Sequence, residues 1–216
     1  MTRLTSARMP DVRRTDARAV FVGQRYVPTR QAAIEVLQQH VEQWSGTPWP
    51  VGVLSFSCYL SVEEDTVLTY AQCSDAAVYR PFVASLHGAA NAGAVEYRLR
   101  GSVVPRGAAG TPGCMVVATF DVDGAERQDR VIDSLTDALE RTRAGRSPGM
   151  LSANFHVSTD ATRVLNYAEW TSDETHTAFL DSAARVTTRS VSDDIPGVRP
   201  IGFKRYHLYR GFERQA

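Results

Sequence analysis

A chain of 216 residues is long enough for one large domain or two small ones, because domains commonly hold about 100 to 150 residues. Its residues are 43% hydrophobic and 22% charged, a composition that predicts a globular chain with a buried core and excludes a wholly disordered one. The 24 basic residues balance 24 acidic ones, so the net charge of zero gives no support for nucleic acid or an anionic membrane as a partner.

Hydropathy and cysteine usage restrict the class further. No apolar run reaches the roughly 20 residues that span a bilayer, and the N-terminal sequence lacks the hydrophobic stretch of a secretion signal. The three cysteines show no CxxC spacing, and no histidine pair shows the spacing of metal ligands, which gives no support for a disulfide framework or a metal site. We therefore expect a cytoplasmic protein without a metal.

In chain order, residues 1–16 are predicted to be disordered or loosely attached, and a first half follows over residues 17–104. Its helix is marked by a stripe of apolar residues from Ile34 to Trp44 at helical spacing. Strands are expected near residues 19–23, 51–60, 67–73 and 95–104. Pro81 predicts a broken or restarted helix before the last of these strands.

A Gly/Pro-rich segment, residues 105–113, is predicted to be a linker to a second half over residues 114–212. Strands are expected near residues 114–122, 150–157, 163–170 and 200–209, and helices near 126–142 and 172–183. Thr171, followed three residues later by Glu174, predicts a capping box that begins the last helix.

The two halves are copies of each other. Residues 52–86 align without a gap on residues 149–183 at an offset of 97, and ten of the 35 positions are identical, against roughly two expected from composition. Each copy reads β-α-β-β-α-β, a unit whose second sheet face needs a cover. The sequence thus predicts an α+β fold of tandem ferredoxin-like halves that form a dimeric-α+β-barrel-like pseudo-dimer within one chain.

The segment VLNYAEWTSDETH, residues 164–176, predicts a site. On a strand Asn166 and Trp170 point to one face, and the helix that begins at once places His176 about one turn in. These three side chains are expected to converge on one cavity.

The tandem halves and the segment NYAEWTSDE resemble the antibiotic biosynthesis monooxygenase family, which includes the anthrone-type oxygenases of aromatic polyketide pathways. The resemblance implies a cofactor-independent monooxygenase with no metal or flavin, acting on a polycyclic aromatic substrate with molecular oxygen, and it admits a homodimer. It also implies that Asn166 and Trp170 line the pocket, that His176 stands where the family has a tyrosine, and that Arg189 binds substrate.

The duplication provides an internal comparison for these positions. The first half has Thr69, Cys73 and Tyr79 in place of Asn166, Trp170 and His176. We therefore expect only the second half to be catalytic.

Two further residues are candidates for substrate binding. His156 matches Tyr59 of the first half, and both pocket lining and sheet packing are open for it. Tyr79 is a candidate for lining the pocket of the first half.

Other functions remain open. One is oxidative cleavage or rearrangement of a polycyclic quinone with reduced flavin supplied from outside, and another is a non-catalytic scaffold or small-molecule binding module. Haem degradation has less support, because the strand CMVVATFDV lacks the asparagine that this chemistry would need.

Overall fold

The computed structural model describes residues 4–86, 93–142, 149–181 and 194–214 of the chain. From residue 19 onward, strands and helices follow one another in the predicted order. The strands are β1 (Leu4–Ala7), β2 (Ala19–Tyr26), β3 (Val53–Ser61), β4 (Thr66–Cys73), β5 (Val95–Val103), β6 (Cys114–Val122), β7 (Met150–Ser158), β8 (Arg163–Trp170) and β9 (Val198–Arg214). The helices are α1 (Arg30–Gly46), α2 (Tyr79–Ser85), α3 (Ala125–Thr142) and α4 (Asp173–Leu180), with a short 3₁₀ turn at Ala76–Val78 before α2. No helix in the described ranges is long and apolar enough to cross a membrane.

The chain divides into two compact units at positions that differ from the predicted halves. The first unit holds residues up to 98 and from 206 onward, and the second holds residues 99–205. Both boundaries fall inside strands, β5 and β9, whereas the Gly/Pro-rich segment 105–113 lies wholly within the second unit. The boundaries depend on which strands pair over long distances in the chain, and the Gly/Pro-rich composition of residues 105–113 carries no information about that pairing.

In the first unit β4 lies between β2 and β3, with antiparallel pairing throughout. The sheet continues through residues 206–213 of β9, beside β3, and through residues 95–97 of β5, beside β2. The N-cap of helix α1 is Thr29, whose side chain accepts a hydrogen bond from the Ala32 N–H at 3.2 Å. It buries Ala33, Leu37 and Trp44 against this sheet.

Residues 4–16 are attached to the first unit, which corrects the prediction of a loose N-terminus. Strand β1 pairs antiparallel with β9, beginning at Leu4 opposite Arg214. Val12 is buried, and the Arg14 guanidinium forms ion pairs with Asp16 at 2.7 Å and with Glu213 at 3.0 Å. The partner strand and Glu213 lie about two hundred residues further along the chain, so no local pattern could reveal this attachment.

In the second unit β8 lies between β6 and β7, again antiparallel, and α3 packs an apolar stripe that includes Val131, Ile132 and Leu135 against the same sheet. Helix α4 begins one residue later than predicted. Its N-cap is Ser172, which accepts a hydrogen bond from the Thr175 N–H while the Thr175 hydroxyl accepts one from the Ser172 N–H. The capping box therefore joins Ser172 and Thr175, since a threonine hydroxyl can stand in for the expected glutamate.

Candidate functional site

The second unit contains a cavity of about 440 Å³ between the inner face of its sheet and the helices α3 and α4. Residues 200–203 of β9 form part of its wall. The described lining is mostly aliphatic and aromatic, and none of these side chains carries a fixed charge. Such a cavity favours an uncharged, largely apolar guest.

Three rows of side chains cross the sheet beneath this cavity, because paired strands bring residues of one face into line. Trp170 of β8 lies between Cys114 of β6 and Met150 of β7. In the next row Ala168 lies between Val116 and Ala153, and in the third Asn166 lies between Ala118 and Phe155. The alternation of β8 thus places the indole and the amide on the cavity face with one small residue between them, as the sequence predicted.

Asn166 and Trp170 both present polar atoms that are buried and unsatisfied. Trp170 is only 2% exposed, and neither its Nε1 nor the Asn166 Oδ1 has a hydrogen-bond partner within the described part of the chain. Leaving a buried polar group unpaired costs about 1–3 kcal/mol. A ligand with an oxygen or hydroxyl in reach of these atoms would recover that free energy.

His176 lies beside the indole, on the first turns of α4. It is 3% exposed, and its ring meets the Trp170 ring edge-on, with centroids 5.1 Å apart and an interplanar angle of 65°. On its other side the Phe203 ring is 5.4 Å away at 81°. The structure therefore brings Asn166, Trp170 and His176 to one cavity, although their catalytic roles stay predictions.

Strand β9 contributes the exposed rim of the cavity. Ile201 is 63% exposed and Phe203 is 43% exposed, which is unusual for large apolar side chains at the edge of a cavity. Just beyond them, Arg205 Nη1 donates hydrogen bonds to the Asp173 carbonyl oxygen at 3.0 Å and to the Thr177 hydroxyl at 2.7 Å. These bonds fix the start of α4, and with it His176, against β9.

The matching place in the first unit is filled. Its cavity measures only about 50 Å³. The Phe21 ring stacks on Tyr79 at 3.8 Å with an angle of 6°, and the Phe56 ring stacks on Trp44 at 3.9 Å with an angle of 10°. Tyr79 is therefore a packing residue beside a void too small for a polycyclic guest, and burial raises its pKa.

His156 does not line the cavity of the second unit, which corrects one of the two roles left open for it. It lies on the opposite face of β7, fully buried, with Nδ1 3.1 Å from the Asn154 carbonyl oxygen. Burial lowers the pKa of His156 to about 4, so the ring is neutral at pH 7.

Arg189 lies outside the described residues. Sequence reasoning also missed most of the other cavity residues, among them the small Val116 and Ala153 and the rim residues Ile201 and Phe203. One signal was present in the alignment of the copies, where Ala153 matches Phe56 at the constant offset of 97. Among the described residues no group of three or more His, Cys, Asp or Glu side chains could hold a metal ion.

Comparisons with known proteins agree with the family resemblance. Residues 114–189, which contain NYAEWTSDE, match the model of the antibiotic biosynthesis monooxygenase family. A comparison with curated protein sequences found no match.

Solved structures with the same fold include an anthrone oxidase-like protein, 12% identical, with a TM-score of 0.74 over 97% of this chain and 95% of that chain. A monooxygenase-like protein from Listeria innocua is 13% identical, with a TM-score of 0.53 over 89% of this chain and 94% of that chain. A monooxygenase from Streptomyces coelicolor, solved with the ligand nanaomycin D, is 30% identical over 49% of this chain and 90% of that chain, with a TM-score of 0.38. The first two likenesses show the fold, and the predicted α+β fold of tandem ferredoxin-like halves is confirmed.

Proposed function

We propose that this protein, whose residues 114–189 belong to the antibiotic biosynthesis monooxygenase family, oxidises a polycyclic anthrone or phenol to a quinone with molecular oxygen and without a metal or flavin. One observation carries the proposal. The second unit has an open apolar cavity, and a buried indole N–H and a buried amide oxygen in its lining have no hydrogen-bond partner among the described residues. The anthrone oxidase-like protein that shares the fold supports the choice of substrate class.

The size of the cavity fits such a substrate. A cavity of about 150 Å³ holds one benzene ring, so about 440 Å³ has room for roughly three. It also falls within the range of about 300 to 1,000 Å³ that is typical of sites for drug-sized ligands. A planar tricyclic guest matches both the volume and the apolar lining.

The chemistry needs little from the protein. The methylene carbon of an anthrone loses a proton, and the carbanion, whose charge is spread onto the carbonyl oxygen, passes one electron to O₂. The substrate radical and superoxide combine in a C–O bond, and the resulting peroxide anion accepts a proton. Cleavage of the O–O bond with loss of the remaining C–H proton gives the second carbonyl, so one anthrone and one O₂ yield one quinone and one water.

Each step has a candidate residue in the cavity. His176 would take the first proton, since a neutral imidazole has a ring nitrogen that accepts a proton and can later return it to the peroxide. The Trp170 N–H and the Asn166 Nδ2 group would donate hydrogen bonds to the anionic oxygens as charge develops there, while the Asn166 Oδ1, unpartnered among the described residues, would accept one from a hydroxyl of the substrate. The apolar walls would keep water from the radical pair.

The experiment follows quinone formation from 1,8-dihydroxyanthrone in air-saturated buffer, with the protein-free rate subtracted. We expect catalysis that is unchanged by a chelator and by added reduced flavin, and a loss of about 100-fold for Asn166→Ala. Strict dependence on reduced flavin would reject the cofactor-independent mechanism. A wild type that forms no quinone above the protein-free rate would instead favour a binding module without catalysis. Equal rates for the wild type and for folded Asn166→Ala and Trp170→Phe variants would reject the roles given to these two residues.

A further inference from the structure

The middle row beneath the cavity is made of three small, buried side chains. Val116, Ala168 and Ala153 are direct cross-strand partners on β6, β8 and β7, and all three line the cavity. With strands about 4.8 Å apart, the row spans roughly 10 Å across the sheet. On β8 it lies between Asn166 and Trp170, each two residues from Ala168 on the same face.

The first unit has the same row with different flanks. There Ala71 pairs with Phe21 on one side and with Phe56 on the other. The two phenylalanine rings occupy the space above the row and stack on Tyr79 and Trp44. The central alanine is common to both units. Its flanking residues are two phenylalanines in the unit with a void of about 50 Å³, and a valine and an alanine in the unit with a cavity of about 440 Å³.

We propose that Val116 and Ala153 are specificity-determining residues, and that the rings of the substrate lie above them in the space that Phe21 and Phe56 fill in the first unit. This assignment rests on the proposed function, and it adds the position of the ligand. Because Tyr79 corresponds to His176, the ring above Val116 stacks against His176. A planar guest centred on Ala168 has its edges directed toward Trp170 and Asn166, whose buried polar atoms lack partners among the described residues.

The proposal predicts how many fused rings a bound guest can have, and binding experiments can measure this. A phenylalanine ring placed at position 116 or 153 takes about 150 of the 440 Å³, which leaves space for two rings rather than three. Both replacements together leave space for one. Each single variant should therefore reject a tricyclic guest and keep a bicyclic one, and the double variant should reject both.

The test measures binding by titration calorimetry, with 1,8-dihydroxyanthraquinone as the tricyclic probe and 1-naphthol as the bicyclic probe. For Ala153→Phe and Val116→Phe we expect the Kd of the tricyclic probe to rise at least 30-fold, with that of 1-naphthol within threefold of the wild type. Phe56→Leu in the first unit is the control, with both Kd values unchanged. Thermal unfolding reports whether each variant folds. If Ala153→Phe does not fold, Ala153→Leu replaces it in the test, with an expected fivefold rise in the Kd of the tricyclic probe.

The outcomes separate this proposal from the proposed function. A folded Ala153→Phe variant that binds the tricyclic probe within threefold of the wild type overturns the proposal, even if the protein oxidises anthrones. A wild type that binds neither probe overturns it as well. The expected change in ring selection supports it even if no oxidation is detected, in which case the proposed reaction fails alone.

Discussion

Replacing Trp170 by phenylalanine isolates the contribution of one N–H group. The ring remains between the sheet and His176, while the Nε1–H, buried and without a partner in the described ranges, is removed. If this donor serves only the reacting oxygen, catalysis should suffer and folding should not.

The two effects differ in size. Removing one preorganised donor to a developing oxyanion lowers kcat by about 10² to 10³-fold, so we expect a loss of at least 100-fold. For folding, relief of an unpaired buried N–H contributes about 1–3 kcal/mol. A ring smaller by about 40 Å² of apolar surface costs about 1 kcal/mol at roughly 25 cal/mol per Å². The free energy of unfolding should therefore stay equal or rise by up to about 2 kcal/mol.

Trp49 supplies a matched control. It is 4% exposed, and its Nε1 donates a hydrogen bond of 2.8 Å to the Trp44 carbonyl oxygen. Trp49→Phe should lower the free energy of unfolding by about 2–4 kcal/mol, since it loses apolar surface and leaves a buried carbonyl unpaired, yet it should leave kcat within twofold.

The assays are quinone formation in air and equilibrium unfolding in guanidinium chloride. A Trp170→Phe variant that is folded and loses less than threefold in kcat would refute the role of this N–H. So would a loss of activity that merely follows a loss of stability.

Three further outcomes are expected. Cys73→Ala, at the position of the first unit that matches Trp170, should leave kcat within twofold, because the aromatic side chains of that unit fill its space; a loss equal to that of Trp170→Phe would contradict the division between the units. Burial lowers the pKa of His156 from 6.5 to about 4, so on acidification the unfolded chain takes up this proton at a higher pH than the folded chain does. The free energy of unfolding, at its full value above pH 6.5, should therefore fall by about 3 kcal/mol as the pH drops toward 4. Urea titrations at several pH values should show a shallower fall for His156→Gln, and an unchanged slope would reject this assignment. Gly149→Ala should destabilise by about 1–3 kcal/mol, because Gly149 has φ +93° and a Cβ there would collide with Thr175, whereas Gly46→Ala, with open space at that position, should be neutral in the same unfolding assay.

The sequence was sufficient for the elements that build the site. The period-2 pattern of residues 163–170 and the short step to the next helix located β8 and α4, and the constant offset between the copies indicated which residues share a role. These signals are local or repeated, and hydrophobic periodicity reports such structure well. The convergence of Asn166, Trp170 and His176 followed from them.

Other features depend on which strands meet, and no single stretch of sequence contains that information. The alignment of the two copies matched Phe56 with Ala153, but only the pairing of β2 with β4 placed Phe21 in the same row as Phe56. The burial of Val12 and the ion pair between Arg14 and Glu213 are also consequences of distant pairing. The face of β7 that carries His156 was ambiguous, because both faces of this strand are largely buried and its polarity does not alternate.

Two glycines with positive φ, Gly52 at +105° and Gly149 at +93°, occupy equivalent points, each immediately before a strand, β3 and β7 respectively. An L-residue is strained at either point whatever its side chain, so selection on the backbone acts there equally in both copies. Side chains on the strands that follow are under no such shared restriction. The two copies can therefore differ in their cavity side chains, with aromatic rings in the first and open space in the second, while the backbone keeps the same path. The sign of duplication persists in these turns even where the cavity residues have diverged.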